Sequence, residues 1–255
     1  MKERLTVKTG INRAWCRIAA GLVAVSAAPS LGHADFAMWQ DMPLEACNPV
    51  YAVQKRGCQL EKVYTCSVGG EDFLLYREID EDLFVSTEVT DLEGGSVVYW
   101  NAEGDFNLID IAEDRDPVSV SELMETGRDV FDHTALMIVA PFIDPIPARF
   151  TGEMRLTDET LVLERTVFTK LSSEYRFTLN SLDLFWTGEQ YLDRDSHAII
   201  AGSGTGRIDG SEVPEIAEPV EIIYPDELGF TSDQPQYDCE AISSIATPNS
   251  LSAKG

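Results

Sequence analysis

Between residues 150 and 157, Phe150, Gly152, Met154 and Leu156 alternate with Thr151, Glu153, Arg155 and Thr157. The same period of two returns at Tyr175, Phe177 and Leu179 against Arg176, Thr178 and Asn180. Successive side chains of a strand point to opposite faces, so both stretches predict strands with one face buried and one in water. Residues 63–68, 73–79, 83–90, 96–101, 106–111, 161–169, 198–201 and 221–224 are of similar length and rich in Val, Ile, Tyr, Phe and Thr. Turn material such as Gly69-Gly70 and Gly94-Gly95 separates them. About ten short strands at this spacing predict a mainly β protein, an antiparallel curved sheet or sandwich with one or two short helices.

One helix stands out from the strand pattern. Ser119 and Glu122 form a capping box, Leu123 and Met124 follow, and Gly127 sits where a helix C-terminus favours it. Residues 134–139 are apolar, end before Pro141 and fit either a helix or a strand. The expected organisation is a single β-rich domain over 35–240. Its first part, 35–62, carries Pro43, Pro49 and two cysteines and reads as an irregular, disulfide-stapled cap. Pro141, Pro145 and Pro147 mark a joint near 141–147 that could separate two strand groups, and the small, polar residues 241–255 predict a flexible tail.

Residues 1–34 read as a signal peptide. Lys2, Arg4, Lys8, Arg13 and Arg17 precede an apolar stretch over 18–28, Pro29 breaks it, and Gly32-His33-Ala34 offers small residues before a cut at Asp35. The apolar stretch is well short of the roughly 20 residues of a membrane-spanning helix, so no membrane span is expected. Removing the segment takes five basic residues and one acidic residue with it. Export to a periplasmic or secreted location leaves an already acidic chain more acidic still.

The whole chain has 44 Asp+Glu against 19 Lys+Arg and a net charge of −25. Nucleic-acid affinity comes mainly from basic groups that displace counterions, so nucleic acid is excluded as a partner. Four cysteines remain after processing, Cys47, Cys58, Cys66 and Cys239, and an even set in an exported chain predicts two disulfides. The favoured pairing is Cys47–Cys58 within the cap and Cys66–Cys239 across the sheet; the alternative joins Cys58 to Cys66 and Cys47 to Cys239. With no Cys-x-x-Cys pair, and with His133 and His197 not spaced as ligands, neither a metal nor another cofactor is expected.

Catalytic signatures are sparse. Ser203 in Ala201-Gly202-Ser203-Gly204-Thr205 lacks the outer glycines of a nucleophile elbow, and Gly202, Gly204 and Gly206 lack the spacing of a dinucleotide loop, which leaves a glycine-rich strand or bulge. Acids crowd residues 78–82 and 113–116 without an EF-hand pattern and read as solvated loops. Asp193-Arg194-Asp195-Ser196-His197 would allow an acid–base pair on His197, against the simpler reading of a surface turn with local salt bridges. Trp100, Trp186, Tyr191, Phe185 and Tyr175 either fill a core or line an apolar hollow in a curved sheet.

Tyr64-Thr65-Cys66, SELMETGRDVFD at 121–132, LVLERTVF at 161–168, GEQYLDRD at 188–195 and PVEIIYPDELGF at 219–230, with Cys239 close behind, resemble a family of uncharacterised exported proteins from Gram-negative bacteria. The resemblance implies export, a β-rich body and a cysteine near each end of it, and brings no activity or site residue with it. The expected function is an exported, non-catalytic binding or interaction module for an unknown protein or small-molecule ligand. The alternatives are a periplasmic hydrolase-type enzyme using carboxylates and His197, and a carrier of a small apolar molecule.

Overall fold

The computed structural model describes residues 36–83, 85–102, 106–111, 116, 118–139, 144–180, 182–208 and 210–239. The proposed signal peptide, the proposed tail, most of the 113–116 acidic loop and Pro141 lie outside them. A short helix, α1 (Phe36–Asp41), and a 3-10 turn (Leu44–Ala46) lead into β1 (Asn48–Lys55), β2 (Gln59–Val68), β3 (Glu71–Ile79), β4 (Val85–Asp91), β5 (Ser96–Asn101) and β6 (Phe106–Ile111). Helix α2 (Val120–Thr126) interrupts the strands, which resume as β7 (Arg128–Val139), β8 (Ile146–Leu163), β9 (Thr166–Leu179), β10 (Leu182–Asp193), β11 (Ile199–Ile208), β12 (Ser211–Glu215) and β13 (Pro219–Ile223).

The described strands form one antiparallel sheet of 13, ordered as a meander from β12 back to β1, with β13 added beyond β1. The mainly β expectation is met, with more strands than the ten expected. Because β12 and β13 lie at opposite ends of this order but are joined by residues 216–218 alone, and a residue spans at most about 3.6 Å, the sheet must curl until its ends are close. The β1–β2 turn meets that joint, where Arg56 N–H donates to Glu218 O at 2.9 Å. Gly57, at φ +71°, passes so near the Ile216 carbonyl that a Cβ would collide with it.

Ser119 caps α2 by accepting from Glu122 N–H at 3.1 Å, and Gly127 ends the helix at φ +80°, both as the sequence predicts. Residues 134–139 belong to β7 and resolve as strand. Residues 161–169, read as one strand, are the tip of the β8–β9 hairpin, turned at Glu164 with φ +52°. The 35–62 stretch is not irregular throughout: after α1 and the 3-10 turn, β1 pairs with β2 in an antiparallel hairpin that begins within it, with one register shift between Pro49 and Tyr51.

That hairpin corrects the disulfide pairing. The bonds are Cys47–Cys66 and Cys58–Cys239, so the four cysteines are paired as expected but in neither of the two connectivities weighed. Cys47 and Cys58 flank the eight-residue β1, and a strand rises about 3.3 Å per residue, so they are held at its opposite ends. Cys47 instead lies across the ladder from Cys66, one step beyond the Asn48–Thr65 pair, with Cα atoms 4.4 Å apart. Cys58 sits in the hairpin turn, where its N–H donates to Tyr237 O at 2.7 Å and Cys239 is brought alongside.

Two layers of packing result. Leu60, Tyr64, Phe73, Leu75 and Val89 on one face of β2–β4 are covered by α1, whose Trp39 meets Phe73 edge-on at 5.2 Å. The C-terminal segment covers the neighbouring part, with Lys62 reaching Asp233 at 2.8 Å and Gln54 bonding to the backbone of Gln234 and Gln236. The opposite face, with Tyr51, Val53, Val63 and Leu74, packs on Phe168, Tyr191 and Ile200 from β9–β11. A separate core fills the arch of β5–β11 beneath α2, where Tyr175 stacks on Trp186 at 5.0 Å and Phe150 meets Phe177 at 4.8 Å.

Candidate functional site

The first cluster of ionisable groups lies inside the roll. Lys55 at the end of β1 is fully buried, forms an ion pair with Glu61 of β2, and has Glu78 of β3 at 3.9 Å. The register explains the grouping: Glu61 is opposite Glu78, and Tyr76 is opposite Glu88 of β4, whose carboxylate bonds to Ser96. Removal from water is the main effect on both acids, raising the affinity of Glu61 and Glu88 for their protons; Lys55 opposes it at Glu61 and the Ser96 hydroxyl at Glu88.

This cluster meets an open sheet edge. β12 pairs with β11 only over residues 204–208, leaving the edge of 199–203 without a strand beside it among the described residues. Side chains take over the backbone groups there. Tyr76 Oη accepts from Ile199 N–H at 3.2 Å, and Ser203 Oγ accepts from Ala217 N–H at 3.1 Å, while the Ala201 N–H favours the charged form of the Glu61 carboxylate. The edge of β11 therefore abuts the face of β2 and β3, joined by side chain to backbone rather than by a ladder. Tyr76 is buried, and its hydroxyl is pushed well above the ordinary range by desolvation, so it remains a neutral phenol.

Residues singled out by sequence fall into structural roles. Asp193 folds the β10–β11 turn, its two oxygens accepting from Asp195 N–H at 3.0 Å and Ser196 Oγ at 2.6 Å. His197, at φ +63°, has Nδ1 3.0 Å from Leu92 O, so neither residue is spent on the other. His133 is buried in the arch, stacked 5.1 Å from Phe150. Gly188 and Gly204 make room for Trp186, whose indole a Cβ at either would strike. Trp186, Tyr175 and Tyr191 are core; Trp100 is partly buried beside Phe36 at 6.1 Å, and Phe185 lines a shallow outer pocket. The five aromatics do not converge on one hollow. Among the described residues no group of three His, Cys, Asp or Glu is arranged to hold a metal ion.

An open cleft of about 510 Å³ lies beside the β8–β9 hairpin, lined by Thr157, Asp158, Thr160, Arg165, Val167, Thr169, Arg194 and Asp195. The hairpin ladder sets Thr160 opposite Thr169 and Val162 opposite Val167, and both valines are exposed. Arg165 lies over the Tyr224 ring at 3.6 Å, and Arg194 Nε donates to Thr169 Oγ1 at 3.0 Å. Sequence reasoning missed both clusters. The signal for the first was the charged pair Glu61-Lys62 set between Leu60 and Val63; for the second it was the scarcity of basic residues.

No described helix is long and apolar enough to cross a membrane. Two disulfides fit an oxidising environment outside the cytoplasm. Comparison with protein-family models, with curated proteins and with solved structures finds no match to this chain.

Proposed function

We propose that the protein is an exported, non-catalytic binding module acting in the periplasm or after secretion, with a small-molecule or protein ligand. The observation that carries this reading is a separation of roles. Glu61 and Glu88, whose affinity for protons is raised by burial, lie in the roll and not in the cleft, whereas the described lining of the open cleft is threonine, arginine, aspartate and valine, with no histidine, cysteine, serine or lysine. Groups of that kind hold a ligand by charge and hydrogen bonding, and the described lining places no histidine or lysine beside its threonines to act as their base. Asp193 and His197, the pair that would serve a hydrolase, are both engaged with the backbone. Export is supported by the processing signal before Asp35 and by the disulfides.

The test sets turnover against binding. The disulfide-bonded chain beginning at Asp35 is incubated with chromogenic ester, phosphate, glycoside and peptide substrates, then screened against exported metabolites by thermal shift. No turnover above buffer and a saturable rise in Tm with one ligand class are expected. Turnover abolished by His197→Ala or Glu61→Gln would overturn the reading.

A further inference from the structure

We infer that the cleft beside the β8–β9 hairpin is a binding site for the oxyanion of a small ligand, with Arg194 as its anchor. This inference rests on the binding-module reading and gives that ligand its chemistry.

Among the described residues, Lys55, Arg56, Lys62, Arg77, Arg128, Arg149, Arg155, Arg165, Lys170, Arg176 and Arg207 each have a carboxylate oxygen within 4.0 Å. Arg194 alone among the described lysines and arginines has none, although acids outnumber basic residues by more than two to one and Asp193 and Asp195 flank it. The turn explains why Asp193 does not pair with it: both oxygens of Asp193 are engaged by Asp195 N–H and Ser196 Oγ. Thr169 holds Arg194 through Nε, so the fork is oriented and its terminal nitrogens are left for a ligand. A guanidinium with a planar pair of N–H donors matches the two oxygens of a carboxylate or phosphate.

The rest of the cleft narrows the ligand. Arg165 supplies a second guanidinium, fixed over Tyr224 and only 3.7 Å from an exposed Asp226, so a ligand can compete for it. Thr160 and Thr169 offer hydroxyls, and Val167 with the neighbouring Val162 offers an exposed apolar pair. Asp158 and Asp195 share the lining, and with a chain charge of −25 they repel polyanions. The fit is to a compact ligand with one oxyanion and a partly apolar body, at the scale of a small-molecule cleft.

Isotope-labelled protein is titrated with inorganic phosphate and, separately, with acetate, each against sodium chloride at matched ionic strength. Saturable shifts confined to the amides around Arg194, Arg165, Thr160 and Thr169 are expected, with affinity lowered tenfold or more in Arg194→Ala, partly restored in Arg194→Lys and unchanged in Arg149→Ala. A stronger response to phosphate identifies a phosphoryl ligand, and a stronger response to acetate an organic acid. Equal shifts with chloride, or equal affinity in Arg194→Ala at unchanged Tm, would overturn the site. If both anions fail while another ligand class still raises Tm, the oxyanion site falls and the binding module stands. Turnover of a bound ligand would remove the non-catalytic reading and leave the site intact.

Discussion

In β9 the residues from Leu171 to Leu179 alternate buried and exposed without a break, whereas in β2 the first six residues are all buried. Both are antiparallel strands of one sheet, and the difference lies in what covers them. β9 has the aromatic core of the arch on one side and water on the other, so Leu171, Ser173, Tyr175 and Phe177 face in while Ser172, Glu174, Arg176 and Thr178 face out. β2 has α1 and the C-terminal segment over one face and β9–β11 against the other, so even Glu61 and Lys62 are enclosed and each needs a partner. The arch is held by packing of large rings. The double-covered half is held by two disulfides, buried ion pairs and side-chain bonds to the edge of β11.

If that contrast is right, the largest effect comes from opening the covalent ties of the covered half. Cys58–Cys239 spans 181 residues and Cys47–Cys66 spans 19. On loop entropy the first is worth about 5 kcal/mol and the second about 3 kcal/mol, so the double variant Cys58→Ser/Cys239→Ser should lose more in urea unfolding than Cys47→Ser/Cys66→Ser. The reverse ranking would mean that the ladder staple, not the anchoring of the C-terminal segment, dominates. In the arch, Trp186→Ala should cost about 3–5 kcal/mol by leaving a void beside Tyr175 and over Gly188 and Gly204. A cost below about 1 kcal/mol would show that the arch is loosely filled, and would return the apolar-carrier alternative to consideration.

Legibility in the sequence follows the same division. The alternation of β8 and β9 and the caps of α2 could be read because one face or one helix end meets water, and water enforces polar residues there. β1 was missed because Val50, Tyr51, Ala52 and Val53 do not alternate, and a strand covered on both faces has no reason to. The disulfide pairing was unreadable for the same cause, since it follows from the register of a hairpin that the pattern did not reveal. The cleft was hidden differently: Arg194 and Thr169 are 25 residues apart and meet only through the β9–β10 register.

A smaller effect concerns pH. Burial pushes Asp129 up to about 6 from 3.8, against the Ser119 N–H that it accepts at 2.9 Å. The folded chain therefore keeps a proton that the unfolded chain releases, so this group's contribution falls as pH rises from about 4 to about 6 and stays low above that. Glu61 and Glu88, raised by the same cause, act in the same direction. Asp132, held low first by its hydrogen bonds from Arg149, acts oppositely, and its contribution is lost as acid protonates it. Chemical denaturation from pH 4 to 8 should show greatest stability in mild acid, and Asp129→Asn should stabilise by on the order of 1–2 kcal/mol at pH 8 and little at pH 4, at about 1.4 kcal/mol per pH unit. Equal effects at both pH values would contradict the assignment.

The central claim is that the roll closes where the β11 edge meets β2 and β3 through side chains, and hydrogen exchange at Ile199 tests it most directly. That amide should exchange as slowly as those in the β9–β10 ladder, although no described strand is paired beside it on that edge. Tyr76→Phe, which removes the acceptor and keeps the ring, should speed exchange at Ile199 tenfold or more while leaving the arch amides unchanged, a loss of about 1.4 kcal/mol of local protection. Rapid exchange at Ile199 in the unaltered chain, or slow exchange that Tyr76→Phe does not change, would contradict it.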